Sequence, residues 1–267
     1  MTPSSTWPFQ SPLAHEAASA VIRDRSTNRQ DIREASLQGL NLASARDVLD
    51  LGCGFGFMAE TLAMRVAEDA KVVGVDVWPD NEEAFRERIA PSGRQGEFRC
   101  LSVDSTLPWP DRSFDLVVCS YSLYFFPKVI PDIARILREK GVLLAITHSE
   151  RSVEGQLPAA GLADAACELV TLARQFSAEN GREKLAGSFG TIRRIDYHNS
   201  LRFRPEHRED LYAYLRFKLP LLIPNAKPGD ELPDELTGFI KRLLASRGEV
   251  VIGKDDAIFQ CRDPLCH

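Results

Sequence analysis

Three glycines at alternate positions are the residues of this sequence best suited to contact a ligand. They are Gly52, Gly54 and Gly56 in the segment VLDLGCGFG, and glycine lets a chain turn sharply and approach a ligand closely. A dinucleotide-binding loop reads G-x-G-x-x-G, but this chain has Phe57 where the third glycine would stand. A phosphate ligand gains nothing from Asp50, two residues before the first glycine, whereas a cationic ligand does.

The elements that must position this loop alternate between strand and helix from residue 47 to residue 148. Short apolar runs predict strands, and apolar residues at helical spacing predict helices between them. The predicted strands are 47–51, 71–76, 97–103, 114–120 and 142–148, and the predicted helices follow Gly56, span 79–90 and run from Pro131 to Gly141. This alternation indicates a parallel sheet that helices cover on both faces.

The two ends of the chain have different patterns. Helices are predicted over 15–25 and 28–40, before the sheet. After it, the periodicity predicts one long amphipathic helix over 157–180, with Leu162, Ala166, Leu169 and Leu172 on one side, a half-exposed strand over 191–204, helices over 205–219 and 233–246, and a last strand over 257–262. Tyr197 and His198 fall on opposite faces of their strand, so only one of them can face a site.

Charge and cysteine content narrow the class of partner. The 33 basic and 38 acidic residues give a net charge of -5, which argues against a nucleic-acid partner. No apolar run approaches the ~18 residues of a membrane span, and the N-terminus does not read as a signal peptide. The six scattered cysteines favour a reduced, cytoplasmic compartment. The tail with Cys261, Cys266 and His267 offers too few ligands for a zinc site, so no metal is expected.

Four segments in order resemble the motifs of class I S-adenosylmethionine-dependent methyltransferases. The segment DLGCGFG at 50–56 resembles their first motif, VVGVD at 72–76 their second strand, LSVDS at 101–105 the acid after strand three, and WPDRSFDLV at 109–117 the entry to strand four. The approach to strand five, LREKG at 137–141, departs from the usual pattern because Glu-Lys stands where Pro-Gly is common. The resemblance covers about residues 45–150.

This resemblance implies an α/β fold, a Rossmann-like seven-stranded sheet in the order 3-2-1-4-5-7-6 with its last strand antiparallel. It further implies N-terminal helices and a helical lid inserted between the last two strands. We therefore expect a single methyltransferase domain over residues 1–267. Its parts would be an N-terminal helical cap at 1–45, a cofactor-binding core at 46–150, and a substrate-side part at 151–267 whose lid spans about 205–247.

The resemblance also implies the cofactor S-adenosyl-L-methionine, with S-adenosyl-L-homocysteine as its product. The backbone of Gly52, Cys53 and Gly54 would approach the methionine part of the cofactor, and Asp50 would face its ammonium group. Asp76, at the end of the second predicted strand, could accept hydrogen bonds from both ribose hydroxyls. Alternatively, Asp76 caps the helix that follows.

The adenine side of the implied site has a second set of candidates. Asp104, expected to end strand three, could accept a hydrogen bond from the adenine amino group with the Ser105 N–H nearby, or else cap a short turn. Val77 would pack on the adenine ring, and Ser120, which ends predicted strand four, would lie beside the cofactor sulfur.

The acceptor side has one candidate catalytic residue. His148 ends the fifth predicted strand, and its titration range suits removal of a proton near neutral pH; a histidine that only hydrogen-bonds a loop is the alternative. Tyr121, Tyr124 and Tyr214 are expected to line a substrate pocket, or else to pack in the core. Cys119 lies inside an apolar strand and is expected to be an inert core thiol.

These features together predict methyl transfer to a small organic acceptor, at oxygen or nitrogen, by in-line displacement. The segment after strand four lacks the Asn/Asp-Pro-Pro-Tyr sequence of adenine and glutamine N-methyltransferases. Two alternatives stay open: methylation of RNA or protein, and a protein that binds the cofactor without transferring its methyl group. The sequence does not predict the oligomeric state.

Overall fold

The computed structural model describes residues 8–159 and 168–265, and all statements about structure refer to them. The strands are β1 (Asp47–Leu51), β2 (Lys71–Asp76), β3 (Gln95–Cys100), β4 (Phe114–Ser120), β5 (Leu137–His148), β6 (Phe189–Tyr197), β7 (Ser200–Phe203), β8 (Val250–Gly253) and β9 (Asp256–Pro264). The helices are α1 (Pro12–Arg25), α2 (Ile32–Leu37), α3 (Phe57–Ala63), α4 (Asn81–Ile89), α5 (Ile130–Ile136), α6 (Glu150–Ala159), α7 (Glu168–Ala173), α8 (Gly181–Ala186), α9 (Arg208–Leu222) and α10 (Asp234–Arg247).

Seven of these strands form the main sheet, in the order β3-β2-β1-β4-β5-β9-β6. Strands β1 to β5 are parallel, and β9 is antiparallel to both β5 and β6. Numbered along the chain within this sheet, the order is 3-2-1-4-5-7-6, so the predicted topology is confirmed. Strands β7 and β8 pair with each other in a separate two-stranded sheet.

The core lies on both faces of the sheet because the central strands are almost continuously apolar. In β1, Leu49 and Leu51 pack into one buried cluster, and Val48 packs into the other on the opposite face. A strand that is covered on both faces has no solvent-facing positions, which explains why its sequence does not alternate between apolar and polar residues. Because β1 to β5 are parallel, their carboxyl ends emerge together at one edge of the sheet.

The inserted helices lie where the resemblance placed them. Helices α9 and α10 follow β7 and precede β8, so in the chain they come between β6 and β9, the last two strands of the main sheet. Helix α1 packs against α9 and β7, and its first turn is capped by Ser11, whose Oγ accepts a hydrogen bond from the Ala14 N–H at 3.2 Å. None of the helices in the described part of the chain is both long and apolar enough to span a membrane.

The single strand predicted over 191–204 is wrong, because the chain leaves the main sheet after Tyr197. Asn199 is buried and needs polar partners there. Its backbone N–H donates to Asp255 Oδ1 at 2.9 Å, and its side chain donates to Ser26 Oγ at 2.9 Å. Asn199 forms these bonds instead of extending the pairing of β6 with its neighbouring strand. They are needed because a buried amide without partners is costly.

The long helix predicted over 157–180 is also wrong. Helix α7 ends at Ala173, and the next residues make tertiary hydrogen bonds instead of a further helical turn. The carbonyl of Phe176 accepts from Thr147 Oγ1 at 2.7 Å, and the Ala178 N–H donates to the His148 carbonyl at 2.9 Å. Leu162 and Ala166 lie outside the described residues.

Two predicted boundaries in the core also need correction. The helix after Pro131 ends at Ile136 rather than Gly141, because Leu137 already pairs with Phe114 as the first residue of β5. Strand β3 ends at Cys100, three residues before the predicted end, so the acid at 104 belongs to the following loop. In both places the pairing of strands decided the boundary against local periodicity.

Candidate functional site

A cavity of about 940 Å³ opens at the carboxyl edge of the main sheet. The ends of β1, β2, β4 and β5 form its floor, while α1 and α9 contribute walls. The predicted site residues that line it are Asp50, Gly52, Cys53, Gly54, Asp76, Val77, Ser120, Tyr121, Tyr124 and His148. Ligands of open α/β sheets bind in a crevice at this edge, so the fold brings these residues together where a ligand would sit.

The glycine loop after β1 is held against the end of β2. The N–H groups of Gly52 and Cys53 donate to the carbonyl of Val75 at 2.8 and 3.0 Å, and the Gly54 N–H donates to Asp76 Oδ2 at 2.8 Å. Gly52 has a φ of 74°, and a Cβ atom there would collide with the side chain of Ser122. Glycine is therefore required at 52, and the loop backbone forms a bare wall of the cavity.

Asp50 is a buried carboxylate that faces this cavity. It is only 1% exposed, and neither of its oxygens has a hydrogen-bond partner among the described residues. Burial, and secondly the charge of Asp76, raise the pKa of Asp50 to about 7. Because an unpaired buried carboxylate is costly, the arrangement fits a cationic group of a ligand.

Asp76, the last residue of β2, supports the glycine loop through a hydrogen bond. Its Oδ2 accepts from Gly54 N–H, and its Oδ1 accepts from Trp78 N–H at 3.0 Å. Burial raises the pKa of Asp76, and these N–H groups pull it down again in part. Helix α4 begins at Asn81 after Asp80, and the two backbone N–H groups that bond Asp76 belong to the glycine loop and to the turn before this helix.

The adenine-side candidates are divided between the cavity and the surface. Val77 lines the cavity, whereas Asp104 and Ser105 are exposed in the loop after β3 and are not among its lining residues. Their place on the cavity wall is taken by three residues just upstream, Leu101, Ser102 and Val103. Ser120 lines the cavity with its hydroxyl buried and without a hydrogen-bond partner among the described residues.

A hydrogen-bonded cluster occupies the other end of the cavity, around the buried carboxylate of Asp256. Its Oδ1 lies 2.7 Å from His148 Nδ1. Its Oδ2 accepts from Tyr121 Oη at 2.8 Å and from Lys254 Nζ at 2.7 Å. Tyr121 also stacks on the His148 ring with centroids 4.7 Å apart, and Tyr124 lies 6.0 Å from that ring. The imidazole is thus fixed in both position and orientation.

Tyr121 holds its place in this cluster with an uncommon backbone conformation. Its φ is 56°, in the left-handed region that a bulky residue seldom adopts. The hydrogen bond to Asp256 and the contact of Lys254 Nζ, 3.2 Å from Tyr121 Oη, keep the side chain in the cavity wall. Backbone strain of this kind persists only where surrounding contacts over-determine it, and it is concentrated at functional sites.

The protonation state of His148 follows from its burial and from the charges around it. Burial lowers the pKa of His148 to about 4, although Asp256 acts in the opposite direction. Burial would raise the pKa of Asp256, but Lys254 and His148 outweigh it and lower that pKa to about 2. The ring is therefore neutral at pH 7, with its proton on Nδ1 toward the carboxylate and Nε2 as an acceptor. The prediction that His148 titrates near neutral pH therefore needs correction, because burial lowers the pKa of this residue.

Tyr214 and the pair Tyr197 and His198 are also placed by the structure. Tyr214 is buried in the core beside Phe203, with ring centroids 6.3 Å apart, and is not among the cavity-lining residues. Tyr197 faces the cavity, while the side chain of His198 is 83% exposed. Of the two candidate faces of β6, the one with the tyrosine is therefore the inner one.

Three functional candidates were missed by sequence reasoning: Lys218, Lys254 and Asp256, all of which line the cavity. Asp256 lies directly opposite His148 in the antiparallel ladder of β5 and β9. The predicted last strand began one residue later, so the acid was assigned to a loop. Within residues 8–159 and 168–265, no group of three or more His, Cys, Asp or Glu side chains is placed to hold a metal ion.

The comparisons with known proteins agree with this geometry. A family model described as a methyltransferase domain matches residues 48–141. The ubiquinone biosynthesis O-methyltransferase of Idiomarina loihiensis is 30% identical over 105 residues, which cover 38% of this chain and 42% of that protein. Aklanonic acid methyltransferase DauC of a Streptomyces species is 36% identical over 89 residues, or 33% of this chain and 40% of that protein. The chain thus spans about two fifths of the curated relatives it matches.

The fold is shared over nearly the whole chain with a solved structure. The (4+2)-cyclase SpnF superposes with a TM-score of 0.57 and 16% identity, and the match covers 97% of each chain. Likeness at this identity concerns the fold alone. The matched segment confirms the predicted family and its cofactor class, S-adenosyl-L-methionine. Residues 48–141 match a methyltransferase domain, in agreement with the class I S-adenosylmethionine-dependent family that the sequence motifs resemble.

Proposed function

We propose that this protein transfers a methyl group from S-adenosyl-L-methionine to a small organic acceptor bound in the cavity. One observation carries the proposal. A single cavity joins the buried carboxylate of Asp50, which has no hydrogen-bond partner among the described residues, to the neutral, oriented imidazole of His148. The carboxylate suits the ammonium group of the cofactor, and the imidazole is placed to take a proton from the acceptor.

The residues at the Asp50 end fit the cofactor in three ways. Asp50 supplies a buried carboxylate, unpaired within the described part of the chain, for the ammonium, and the bare backbone of Gly52 and Gly54 lets the methionine part approach closely. Asp76 lies at the end of β2, where a carboxylate can accept from ribose hydroxyls. When bound, the cofactor supplies a methyl group already activated on a sulfonium, so the protein must mainly position the acceptor and exclude water.

At the opposite end, His148 acts as the general base. Its Nε2 would take the proton of the acceptor oxygen or nitrogen, which gains the methyl group as the carbon–sulfur bond breaks and S-adenosyl-L-homocysteine leaves. Asp256 holds the proton on Nδ1, orients the ring and stabilises the imidazolium that develops, which is the role a carboxylate plays behind a catalytic histidine. Lys254 and Tyr121 keep Asp256 ionised and in place.

The size and walls of the cavity favour a small acceptor. A volume of about 940 Å³ is within the range of small-molecule sites, and Phe125, Phe126 and Leu221 give it apolar walls. The two relatives described above are named for small molecules, and the net charge of -5 gives no electrostatic support for nucleic acid. The four cysteines that the structure describes as free suit a reducing, cytoplasmic location.

Titration calorimetry tests the cofactor. We expect S-adenosyl-L-methionine and S-adenosyl-L-homocysteine to bind with 1:1 stoichiometry and NAD not to bind. Tight binding of NAD, with neither of the two other ligands bound, would contradict the proposal. Release of S-adenosyl-L-homocysteine in the presence of candidate acceptors then separates a methyltransferase from a protein that binds the cofactor without transferring methyl.

A further inference from the structure

A second cavity, of about 470 Å³, is lined by residues from the end of α1, the loop after it and the segment 202–207. Ser26 forms an antiparallel bridge with Leu201, which holds the two parts of the chain side by side. Ser26 and Arg29 line both cavities, so the second adjoins the one at the edge of the sheet. Half of the residues that line it are arginines, and we call it the arginine pocket: Arg25, Arg29, Arg202 and Arg204.

Two of these arginines are paired with carboxylates. Arg25 Nε lies 3.2 Å from Asp210 Oδ2, and Arg202 Nε lies 3.3 Å from Glu249 Oε2. The contact of Arg25 lacks hydrogen-bond geometry, so this buried Nε–H has no hydrogen-bond partner among the described residues. A buried donor in this state requires an explanation, because nearly all buried polar groups are hydrogen-bonded.

The other two arginines have no acidic partner. Within residues 8–159 and 168–265, no carboxylate lies within ion-pair distance of Arg29 or Arg204. Asp24, which also lines the pocket, is paired with Arg23, whose Nε lies 3.4 Å from Asp24 Oδ1. The lining residues and their partners therefore carry an excess of two positive charges. Like charges around one cavity repel each other, and a bound anion relieves this repulsion.

His207 adds an oriented hydrogen-bond donor to the pocket. Its Nδ1 accepts from the Arg204 N–H at 3.2 Å, so in the neutral ring the proton lies on Nε2. The guanidinium groups supply planar forks of N–H donors, which match the spacing of phosphate oxygens. The pocket thus combines excess positive charge with several donors, which is the chemistry that recognises phosphate.

We propose that the arginine pocket binds the phosphate group of a small ligand, and that Arg29 and Arg204 supply the charge that holds it. A phosphate group carries about two negative charges at pH 8, which match the excess of the pocket. The volume of about 470 Å³ is within the range of small-molecule sites. The group comes either from inorganic phosphate or from an organic phosphate monoester. This binding goes beyond methyl transfer and does not depend on it.

Inorganic phosphate and phenyl phosphate are the probes that test this inference. Binding is measured by calorimetry on the full chain at pH 8, with sodium chloride keeping the ionic strength constant. We expect binding of at least one probe, and a loss of at least about tenfold in Arg204→Met, as removal of hydrogen bonds to a charged group allows. Arg204 lines the arginine pocket and not the first cavity. Arg204→Lys keeps the charge without the fork, so its loss should be smaller.

A matched control separates the pocket from general surface charge. Arg151 is an exposed arginine of α6 that lines neither cavity, so Arg151→Met should bind both probes as the parent protein does. Thermal unfolding of each variant shows that the fold is kept, and Arg29→Met tests the pocket if Arg204→Met does not fold. Tighter binding of phenyl phosphate assigns the pocket to a phosphate monoester, and equal or weaker binding assigns it to inorganic phosphate.

Three results would overturn the inference. They are no binding of either probe up to about 10 mM, where binding becomes negligible for a small ligand, an unchanged affinity in folded Arg204→Met, and a loss in Arg151→Met as large as in Arg204→Met. Because the probes are measured without the cofactor, failure of the proposed methyl transfer would leave these measurements unchanged.

Discussion

The two ends of the cavity are built in opposite ways. At the end proposed for the cofactor, called here the cofactor end, Asp50, Gly52, Gly54 and Asp76 come from two short segments, β1 with its glycine loop and the end of β2. At the end proposed for the acceptor, called here the acceptor end, four lining residues come from four separate segments of the chain: Tyr121, His148, Lys218 and Asp256. The first end relies on backbone geometry and a local motif, and the second on side chains that meet only when the sheet and the inserted helix have formed. Substitutions at the two ends should therefore affect different measurements.

The largest effect is expected at the acceptor end, from His148→Ala. Loss of the general base should lower kcat by ~10²–10⁴ with an acceptor identified by S-adenosyl-L-homocysteine release. Cofactor affinity should stay the same, because His148 is not part of the glycine loop. His198→Ala, which removes an exposed histidine, is the control. A loss of less than threefold in His148→Ala would show that positioning alone supports the reaction.

The pH profile sharpens this prediction. Since burial lowers the pKa of His148 to about 4, the ring is already the neutral base at neutral pH. The contribution of His148 to kcat should rise with pH through about 4 and stay level above about 6, and the rise should be missing in His148→Ala. A rise centred near 6.5 would mean that the ring is more solvated than its surroundings indicate.

A smaller effect is expected for Asp256→Asn. The change removes the charged partner of Nδ1, and a hydrogen bond to a charged group contributes ~1.5–3 kcal/mol, which corresponds to about 10- to 100-fold in kcat. Kd for S-adenosyl-L-homocysteine should not change. Asp255→Asn, at the neighbouring and more exposed position, serves as the control. If the asparagine variant keeps full activity, Asp256 has only a structural role beside Lys254.

At the cofactor end, Asp76→Ala should weaken cofactor binding at least about tenfold, because the proposed hydrogen bonds from ribose, one bond from the glycine loop and one from the turn after β2 depend on this carboxylate. In calorimetry the variant should show a higher Kd, while thermal unfolding shows an intact fold. Asp80→Ala removes an exposed acid from the start of α4 and should leave Kd unchanged. An unaltered Kd in Asp76→Ala would restrict Asp76 to bracing the turn.

The smallest effect is a dependence of cofactor affinity on pH. Only the ionised form of Asp50 attracts an ammonium group, and burial raises the pKa of Asp50 to about 7. Affinity should therefore rise with pH, by up to about tenfold per unit below 7, and level off above it. The dependence should vanish in Asp50→Asn. Calorimetry in buffers with different ionisation heats should also detect release of a proton on binding at pH 6.

How well the site could be predicted differs between its two ends for a physical reason. The glycine spacing, Asp50 and the acid that ends β2 are local signals, because each lies in, or directly after, a strand that the apolar pattern predicts. Asp104 was predicted to end strand three, but β3 ends at Cys100 and Asp104 is exposed in the loop that follows. A motif thus locates a loop, while the residues of that loop that line the cavity depend on where the strand ends.

The sequence by itself determined the order of strands and helices over residues 47–148 and the parallel core, because buried strands and their connecting helices leave periodic apolar patterns. Its motifs, and not this periodicity, indicated the family. Only the tertiary structure decided which acid stands behind His148, that Tyr214 belongs to the core and that Lys218 faces the cavity. These facts depend on the antiparallel register of β9 against β5 and on the packing of α9. Both are set by contacts between residues far apart in the chain, which no local pattern records.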